Sequence, residues 1–142
     1  MYKTIPIISL LILFFSTASA RENYIYTRIS QKEGLTSTIN SIYKEKDGDV
    51  WLGTPNGLYS FNGHTLRNHQ DSILAGRRVF QTGIDRNGDF WILTNRGLLR
   101  KRGSHIEVVT PSGENDDNHP FQCMFQDDDG IWFGSNRRIY RY

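Results

Sequence analysis

The sequence is poor in cysteine and has no strong excess of charge of either sign. Its 142 residues include one cysteine, Cys123, so an internal disulfide is excluded. Lysine and arginine number 17 and aspartate and glutamate 15, which gives a formal net charge of +2. This balance gives no electrostatic reason to expect nucleic acid or an anionic membrane as a partner. Cys123 lies in the apolar run Phe121–Phe125, so we expect a buried, unreactive thiol.

The few histidines and the acidic residues show no spacing typical of a metal site. His64 and His69 are near each other, but a separation of five residues suits neither one face of a helix nor one face of a strand. Asp127–Gly130 fails as an EF-hand loop, because the twelfth position would be Asn136 instead of glutamate. We therefore predict no metal, no cofactor and no catalytic residue in this chain.

One long apolar run is present, and it has the layout of a secretory signal peptide. Lys3 supplies a positive charge, Ile5–Phe15 is almost unbroken apolar sequence, and small residues continue to Ala20. The run is shorter than the roughly 20 residues that a helix needs to cross a membrane. We expect residues 1–20 to be removed by cleavage between Ala20 and Arg21, leaving an exported chain without a membrane span.

Three tryptophans mark an internal repeat. Trp51, Trp91 and Trp132 are spaced by 40 and 41 residues, and each follows an Asp-Gly or Asn-Gly pair. In the first two repeats a second glycine follows the tryptophan by six residues. The repeated glycines are Gly48, Gly57, Gly88, Gly97 and Gly130. A period of about 40 residues is typical of an array of structural repeats.

Each repeat reads as short strands separated by turns. In the first repeat we predict strands at Ile39–Lys44, Val50–Thr54, Leu58–Phe61 and Thr65–His69. In the second, the matching strands are Phe90–Thr94, Leu98–Lys101 and Ile106–Thr110. The pairs Asp47-Gly48 and Asn87-Gly88 predict two-residue type I′ turns, which need positive φ at both positions. Pro55–Gly57 predicts the next turn, since proline pre-sets φ and glycine tolerates a positive φ.

Four short antiparallel strands in about 40 residues form one blade of a β-propeller. The predicted fold class is therefore all-β, with about three four-stranded blades in an incomplete ring. The predicted divisions are an N-terminal outer strand and lead-in at 21–38, repeat 1 at 39–78, repeat 2 at 79–120 and an incomplete repeat 3 at 121–142. Because propellers typically have four to eight blades, we expect this chain to be the N-terminal part of a longer protein.

The two long connections between repeats are the candidate ligand-binding loops. They span Gln70–Arg78 and Pro111–Pro120. Their candidate side chains are Arg77, Arg78, Asp116, Asp117 and His119. We favour solvated linkers for both segments, but loops at one face of a propeller commonly line ligand sites, so these segments are the candidates if the chain contacts a ligand. The repeated tryptophans are expected to pack between blades instead of stacking against sugars.

The stretch Ile42–Tyr59 resembles the two-component regulator propeller repeat. That repeat runs as an apolar strand, Asp-Gly, Trp-apolar-Gly-Thr, a short turn, then Gly-Leu and an aromatic residue. Gly34–Ser37 also resembles the segment before the first blade in this family. The match weakens in the second repeat, where Leu93 replaces a glycine, and in the third, where Arg138 replaces the second glycine.

Such repeats occur in the periplasmic sensor region of hybrid two-component systems. The resemblance implies two consecutive propellers, a β-sandwich, one helix anchored in the inner membrane, and cytoplasmic histidine kinase, receiver and DNA-binding modules. It also implies a homodimeric parent and recognition of oligosaccharides released from glycans. None of the signalling modules is present in this chain, so no enzymatic activity of its own is expected. The expected partners are the remaining propeller blades and an oligosaccharide.

Two other functions stay open at this point. Propeller lyases that inactivate streptogramin antibiotics have similar blades, and Gly130–Phe133 with Arg138-Ile139 resembles them. Against this, the Gly-Leu pair of the first two repeats follows the regulator pattern, and no histidine lies in a setting typical of a general acid or base. A secreted scaffold that binds only protein partners is the third possibility.

Overall fold

The computed structural model describes Tyr26 and residues 28–46, 48–71, 73–111 and 119–142. In these residues the chain forms three antiparallel β-sheets, preceded by a 3-10 turn at Gln31–Glu33. None of the helical structure described there is long and apolar enough to span a bilayer. The proposed signal peptide and its cleavage site at Ala20 and Arg21 lie outside the described residues and stay a prediction.

Each sheet is built from strands that follow one another along the chain. The first contains β1 (Ser41–Lys44), β2 (Val50–Thr54), β3 (Gly57–Phe61) and β4 (Leu66–His69). The second contains β5 (Val79–Ile84), β6 (Phe90–Thr94), β7 (Gly97–Arg102) and β8 (His105–Val109). The third contains β9 (Phe121–Gln126), β10 (Ile131–Ser135) and β11 (Ile139–Arg141). The prediction of three propeller blades, with the third lacking an outer strand among the described residues, is confirmed.

The repeated tryptophan holds the same register position in every blade. It pairs with one residue of the first strand and one of the third. The three sets are Tyr43–Trp51–Ser60, Gly83–Trp91–Arg100 and Phe125–Trp132–Arg141. Since side chains alternate between faces of a strand, all three indole rings point to the same side of their sheets. That side faces the following blade.

Apolar side chains from consecutive blades interlock between the sheets. The ring centroids of Trp51 and Phe90 lie 5.2 Å apart, and those of Trp91 and Phe133 lie 4.9 Å apart. Trp51 is 6% exposed and Trp91 is fully buried, as expected for packing between blades. The interface of blades 1 and 2 also contains Leu58, Leu74, Val79, Ile92 and Leu99. The interface of blades 2 and 3 also contains Leu93, Leu98, Phe121 and Ile131.

Polar contacts join neighbouring blades at their inner strands. The hydroxyl groups of Ser41 and Thr82 lie 3.2 Å apart, within hydrogen-bond distance. In the next pair, the Met124 backbone N–H donates to Oε1 of Gln81 at 2.9 Å. The inner strands of neighbouring blades are thus linked through side chains and do not pair as strands of one sheet. Each blade remains a separate sheet of four or three strands.

The outward side of blade 3 is not covered by any described blade. Phe125 is 66% exposed and Ile139 is 76% exposed, while Trp132 is half-buried. Cys123 lies on this same side, because it pairs with Gly134 two residues from Trp132, and it is exposed. The prediction of a buried thiol is wrong, because burial here requires a neighbouring blade and not only an apolar strand.

The opposite end of the array is capped by the segment that precedes β1. Ser30 caps the 3-10 turn, and its backbone N–H donates to Glu33 at 2.6 Å. This turn directs Leu35 onto Leu52 and Tyr59 of blade 1, where all three form a buried cluster. The described residues 28–38 contain no strand, so the outer strand predicted within 21–38 is not seen there, and most of 21–27 lies outside the described residues.

The first turn of blade 2 differs from the two-residue type I′ turn that its Asn-Gly pair predicts. β5 ends at Ile84 and β6 begins at Phe90, so residues 85–89 form the connection. Gly88 has a φ of 85°, but Asn87 does not have the positive φ that a type I′ turn requires. Asp85 Oδ1 accepts the backbone N–H groups of Asn87 and Asp89 at 2.8 and 2.9 Å. A carboxylate therefore sets this turn.

Candidate ligand-binding face

Strand direction divides the connections between two ends of the blades. The first end, termed the loop face, comprises the described residues of 55–56, 70–78, 95–96, 110–120 and 136–138. The second, termed the turn face, comprises the described residues of 45–49, 62–65, 85–89, 103–104 and 127–130. Both sequence-predicted ligand loops belong to the loop face, together with the β2–β3, β6–β7 and β10–β11 turns.

The connection between β4 and β5 is anchored in the core instead of forming a solvated linker. Leu74 is 1% exposed and belongs to the apolar cluster between blades 1 and 2. The Arg77 guanidinium donates through Nε to the backbone oxygen of Ile73 at 2.6 Å. The backbone N–H of Arg77 donates to the backbone oxygen of Leu74 at 3.1 Å. Arg77 is half-buried and stabilises the loop that carries it.

Arg78 differs from Arg77 because it is exposed. Its backbone N–H donates to Asn95 Oδ1 at 2.7 Å, and its backbone oxygen accepts the Asn95 N–H at 3.1 Å. This reciprocal pair fastens the β4–β5 connection to the β6–β7 turn of the next blade. The backbone of Arg78 is thus held, while the residue remains at the surface.

The β6–β7 turn places a further arginine beside this connection. Arg96 is exposed, and its Nη2 donates to the backbone oxygen of Ala75 at 2.9 Å. Thr94 Oγ1 accepts the Arg96 backbone N–H at 3.1 Å and donates to Gly97 O at 2.7 Å. Gly97 has a φ of 98°, which an L side chain rarely adopts. Thr94 and Gly97 therefore fix the backbone conformation of the turn that carries Arg96.

His119 connects blade 2 to blade 3 through its backbone and its ring. Its carbonyl oxygen accepts the Gly97 N–H at 2.9 Å. The ring centroid lies 4.9 Å from that of Phe121 and 6.0 Å from that of Tyr140. Asp116 and Asp117, the other candidates in this connection, lie outside the described residues and stay predictions.

A cavity of about 410 Å³ opens beside His119 on the loop face. Its walls are formed by Pro120, Ser135, Asn136, Arg137, Arg138 and Tyr140. The β10–β11 turn closes without a glycine, since Ser135 N–H donates to Arg138 O at 2.9 Å and no described non-glycine residue has a positive φ. Guanidinium, amide and hydroxyl groups beside a tyrosine ring can bind a hydroxyl-rich or anionic molecule.

A second cavity of about 410 Å³ lies on the same face over blade 1. Asn56, Tyr59, Asn68, Gln70 and Arg77 contribute to its walls. The loop face therefore presents polar concave surface over both end blades. Sequence reasoning identified Arg77 and His119, which line these walls. It missed Arg96 elsewhere on the loop face, and Arg137 and Tyr140 in the walls. Aligning the repeats could have found the first two, since both follow the Thr-Asn or Ser-Asn pair that ends the second strand.

The acidic residues of the turn face have a structural use. A carboxylate accepts the indole N–H in every blade at 2.9 Å, in the pairs Glu45–Trp51, Asp85–Trp91 and Asp127–Trp132. The repeated glycines Gly48, Gly88 and Gly130 lie in these same turns. In the part of the chain that the structure describes, no three potential metal ligands come together. The Asp127–Gly130 segment forms a turn around Asp127, as the repeat pattern predicts.

An ion-pair network within blade 2 contacts blade 3 through Arg100. The Arg102 guanidinium donates to Asp89 through Nε at 2.7 Å, and this hydrogen bond lowers the pKa of the Asp89 carboxyl from its ordinary value. Arg100 donates to Glu107 at 2.6 Å, which lowers the pKa of Glu107. Arg100 also donates to the hydroxyl of Tyr142 in blade 3. The charges of Asp89, Glu107, Arg100 and Arg102 are therefore paired with one another and stabilise the fold.

Two segments of the chain match the family model described as the two-component regulator propeller, residues 33–56 and 116–137. Both segments are therefore similar to the two-component regulator propeller repeat. The first matched segment runs from the last residue of the 3-10 turn through β1 and β2, and the second contains β9 and β10. The resemblance noted on the sequence of the first repeat is thus confirmed, and it extends to the third, where the glycine pattern is weaker.

The chain is also similar to a histidine kinase and to two solved extracellular domains. The chain is 29% identical over 74 residues to histidine kinase P4 of Formosa agariphila, a match covering 49% of this chain and 5% of the kinase. The extracellular domain of a B. thetaiotaomicron protein described as hybrid two-component system BT3049 superposes with a TM-score of 0.65 at 18% identity. That of BT4673, described as a one-component system from the same organism, gives 0.57 at 17% identity.

This chain spans a small part of these relatives. The structural matches cover 78% and 80% of this chain but only 16% of each solved chain. At these identities the structural matches show the propeller fold. Activities and ligands of whole sensor proteins therefore enter below as proposals.

Proposed function

We propose that this chain forms the first blades of the periplasmic ligand-sensing propeller of a hybrid two-component histidine kinase. The observation that carries the proposal is the regulator propeller repeat at residues 33–56 and 116–137, set in blades that superpose on extracellular sensor domains. In this proposal residues 1–20 are a cleaved signal peptide, and the parent is anchored in the inner membrane. The chain itself binds ligand, and catalysis belongs to the kinase part of the parent.

The proposed direct partner of blade 3 is a following blade of the same repeat. Trp51 and Trp91 each bury their indole against the next sheet, and Trp132 has the same register position on a side with no described blade. Phe125 and Ile139, 66% and 76% exposed, surround it. Burying apolar surface yields about 25 cal/mol per Å². We infer that a fourth blade covers this side as blade 3 covers Trp91.

The proposed ligand is an oligosaccharide released from a glycan, and the proposed output is control of transcription in a homodimeric parent. The support is the loop face, where two polar cavities of about 410 Å³ each combine amide and guanidinium groups with the rings of Tyr59 and Tyr140. Sugars offer many hydroxyl groups and apolar ring faces, which such groups bind.

Two measurements test the proposed function. The reading frame beyond the Tyr142 codon is expected to encode further tryptophan-marked repeats, a membrane helix and a histidine kinase. In the organism that encodes it, deletion of the codons for residues 28–142 is expected to abolish a transcriptional response to oligosaccharides from one class of glycan. A downstream frame without kinase motifs, or an unchanged transcriptional response after the deletion, would contradict the proposal.

A further inference from the structure

In the part of the chain that the structure describes, the two ends of the blades carry opposite charge. The charged residues described on the loop face are Arg77, Arg78, Arg96, Arg137, Arg138 and the single acid Asp71. Those described on the turn face are Glu45, Asp49, Asp85, Asp89, Asp127, Asp128 and Asp129, with the bases Lys46 and Arg86. The five arginines of the loop face are termed the arginine track. Among the described residues, basic side chains therefore predominate at one end of the blades and acidic side chains at the other.

Hydrogen bonds link the segments that carry the arginine track across the three blades. The backbone of Arg78 pairs with Asn95, the residue before Arg96. Arg96 Nη2 donates to the backbone oxygen of Ala75 at 2.9 Å. The β4–β5 connection and the β6–β7 turn are therefore joined at two places. One residue beyond Arg96, Gly97 donates to the carbonyl of His119, which lies in the wall of the cavity that contains Arg137.

The inference depends on the position of three exposed arginines, Arg78, Arg96 and Arg137, and not on net charge. Residues 112–118, outside the described structure, contain three acids, so the complete connection is less basic than its described part. Hydrogen bonds hold the backbone segment that carries each exposed arginine. The planar guanidinium binds carboxylate and sulfate groups through two parallel hydrogen bonds.

We propose that the arginine track binds an oligosaccharide bearing carboxylate or sulfate groups. A row of guanidinium groups over consecutive blades matches an extended polyanion, whereas a neutral sugar needs no such row. The cavity beside Arg137 also offers the Asn136 amide and the Tyr140 ring for the uncharged part of a sugar unit. This inference rests on the proposed ligand-sensing function and adds the chemical class of the ligand.

The test compares saccharide probes on the purified full chain by isothermal titration calorimetry. The probes are a heparin-derived hexasaccharide, hexagalacturonate and the neutral cellohexaose. At least one anionic probe is expected to bind about 10-fold tighter than cellohexaose, and its Kd is expected to rise when salt is raised from about 0.05 to about 0.3 M. Cellohexaose binding as tight as both anionic probes, or no binding of either anion, overturns the proposal.

Matched variants assign the site. R96Q/R137Q removes two positive charges from the loop face and is expected to weaken binding about 5- to 20-fold, since hydrogen bonds to charged groups are stronger than neutral ones. K46Q/R86Q removes the same charge from the turn face and is expected to change Kd less than about 2-fold. Equal effects of the two double variants would overturn the proposal, because net charge alone would then explain binding.

A third variant separates the loss of the guanidinium groups from the loss of positive charge. R96K/R137K preserves both charges without the planar guanidinium, and it is expected to retain salt-dependent binding that is weaker than that of the unaltered chain. Wild-type affinity in R96K/R137K and R96Q/R137Q together would overturn the proposal. Binding of cellohexaose alone would leave the sensing function intact and remove only the anionic ligand class, whereas the downstream reading frame tests the sensing function separately.

Discussion

The carboxylate of Asp85 is expected to be a major source of stability in blade 2. Its Oδ2 accepts the indole N–H of Trp91 at 2.9 Å, and its Oδ1 accepts the backbone N–H groups of Asn87 and Asp89. Asp85 and Asp89 are each 6% exposed and Trp91 is fully buried, so water cannot readily replace the lost acceptor at two of these three donors. The Asn87 N–H belongs to an exposed residue and can be hydrated.

The magnitude follows from the two buried donors. Leaving a buried donor without an acceptor costs about 1–3 kcal/mol, so Asp85→Ala is expected to lower the free energy of unfolding by about 3 kcal/mol. Asp85→Asn keeps one acceptor oxygen but turns an amide N–H toward either the indole or the turn, and about half that loss is expected. Domains have a total stability of about 5–15 kcal/mol, so either loss is measurable.

The assay is urea unfolding of the full chain, followed by tryptophan fluorescence and circular dichroism. Asp128→Asn is the matched control, since Asp128 lies on the same face with a side chain 99% exposed and an ion pair to the exposed Arg86. Surface ion pairs contribute about 0–1 kcal/mol. If Asp85→Ala and Asp128→Asn lower the unfolding free energy equally, the argument that the carboxylate holds the indole and the turn is wrong.

Three other predictions concern the packing and the turns. Leu74→Ala, at a residue 1% exposed between blades 1 and 2, is expected to cost about 2–5 kcal/mol in urea unfolding, whereas a solvated loop would lose under about 0.5 kcal/mol. Gly57→Ala is expected to lower the melting temperature and cost about 1–2 kcal/mol, because Gly57 has a φ of 115°; a neutral effect would show that the turn adopts another conformation. Burial against Trp51 lowers the pKa of His69, so the folded state favours the neutral ring and stability is expected to fall as pH drops below the ordinary histidine pKa of about 6.5. His69→Gln should remove that part of the pH dependence, and an identical pH profile would refute it.

Strand positions were predictable because they depend on neighbouring residues. Val50–Thr54 and Phe90–Thr94 coincide with β2 and β6, where branched and aromatic residues run between turn signals. Ile39–Lys44 was placed two residues too early, since β1 begins at Ser41. Asn40 nevertheless donates its backbone N–H to Gly53 at 2.8 Å, so the difference lies at a strand end, where hydrogen bonding is incomplete.

Turn geometry was less predictable from residue pairs. The Asn87-Gly88 pair favours a type I′ turn by itself, but Asp85 is held by Trp91 across the hairpin and accepts the turn N–H groups. A side chain in the core thus overrides the local preference. The Thr94–Gly97 turn followed its local signal, because the threonine and glycine that stabilise it both belong to the turn.

The candidate site was only partly predictable. Arg77 and His119 were identified as members of long connections, but the anchoring of Leu74 turns the first connection from a linker into part of the core. Arg96 and Arg137 lie in short turns that carried no ligand signal of their own. Their place beside the connections depends on hydrogen bonds such as Gly97 N–H to His119 O, between residues of different blades.

The sequence by itself determined the repeat, the strand order within each blade and the register of the tryptophans, because hydrophobic alternation and turn residues act over a few neighbouring positions. Only the tertiary structure decided which sides are covered, so that Trp91 is buried while Trp132 and Cys123 are not. It also decided that arginines about 20 to 40 residues apart lie at one end of the described blades. Burial and charge clustering between blades are contacts between segments distant in the chain, and no local pattern specifies them.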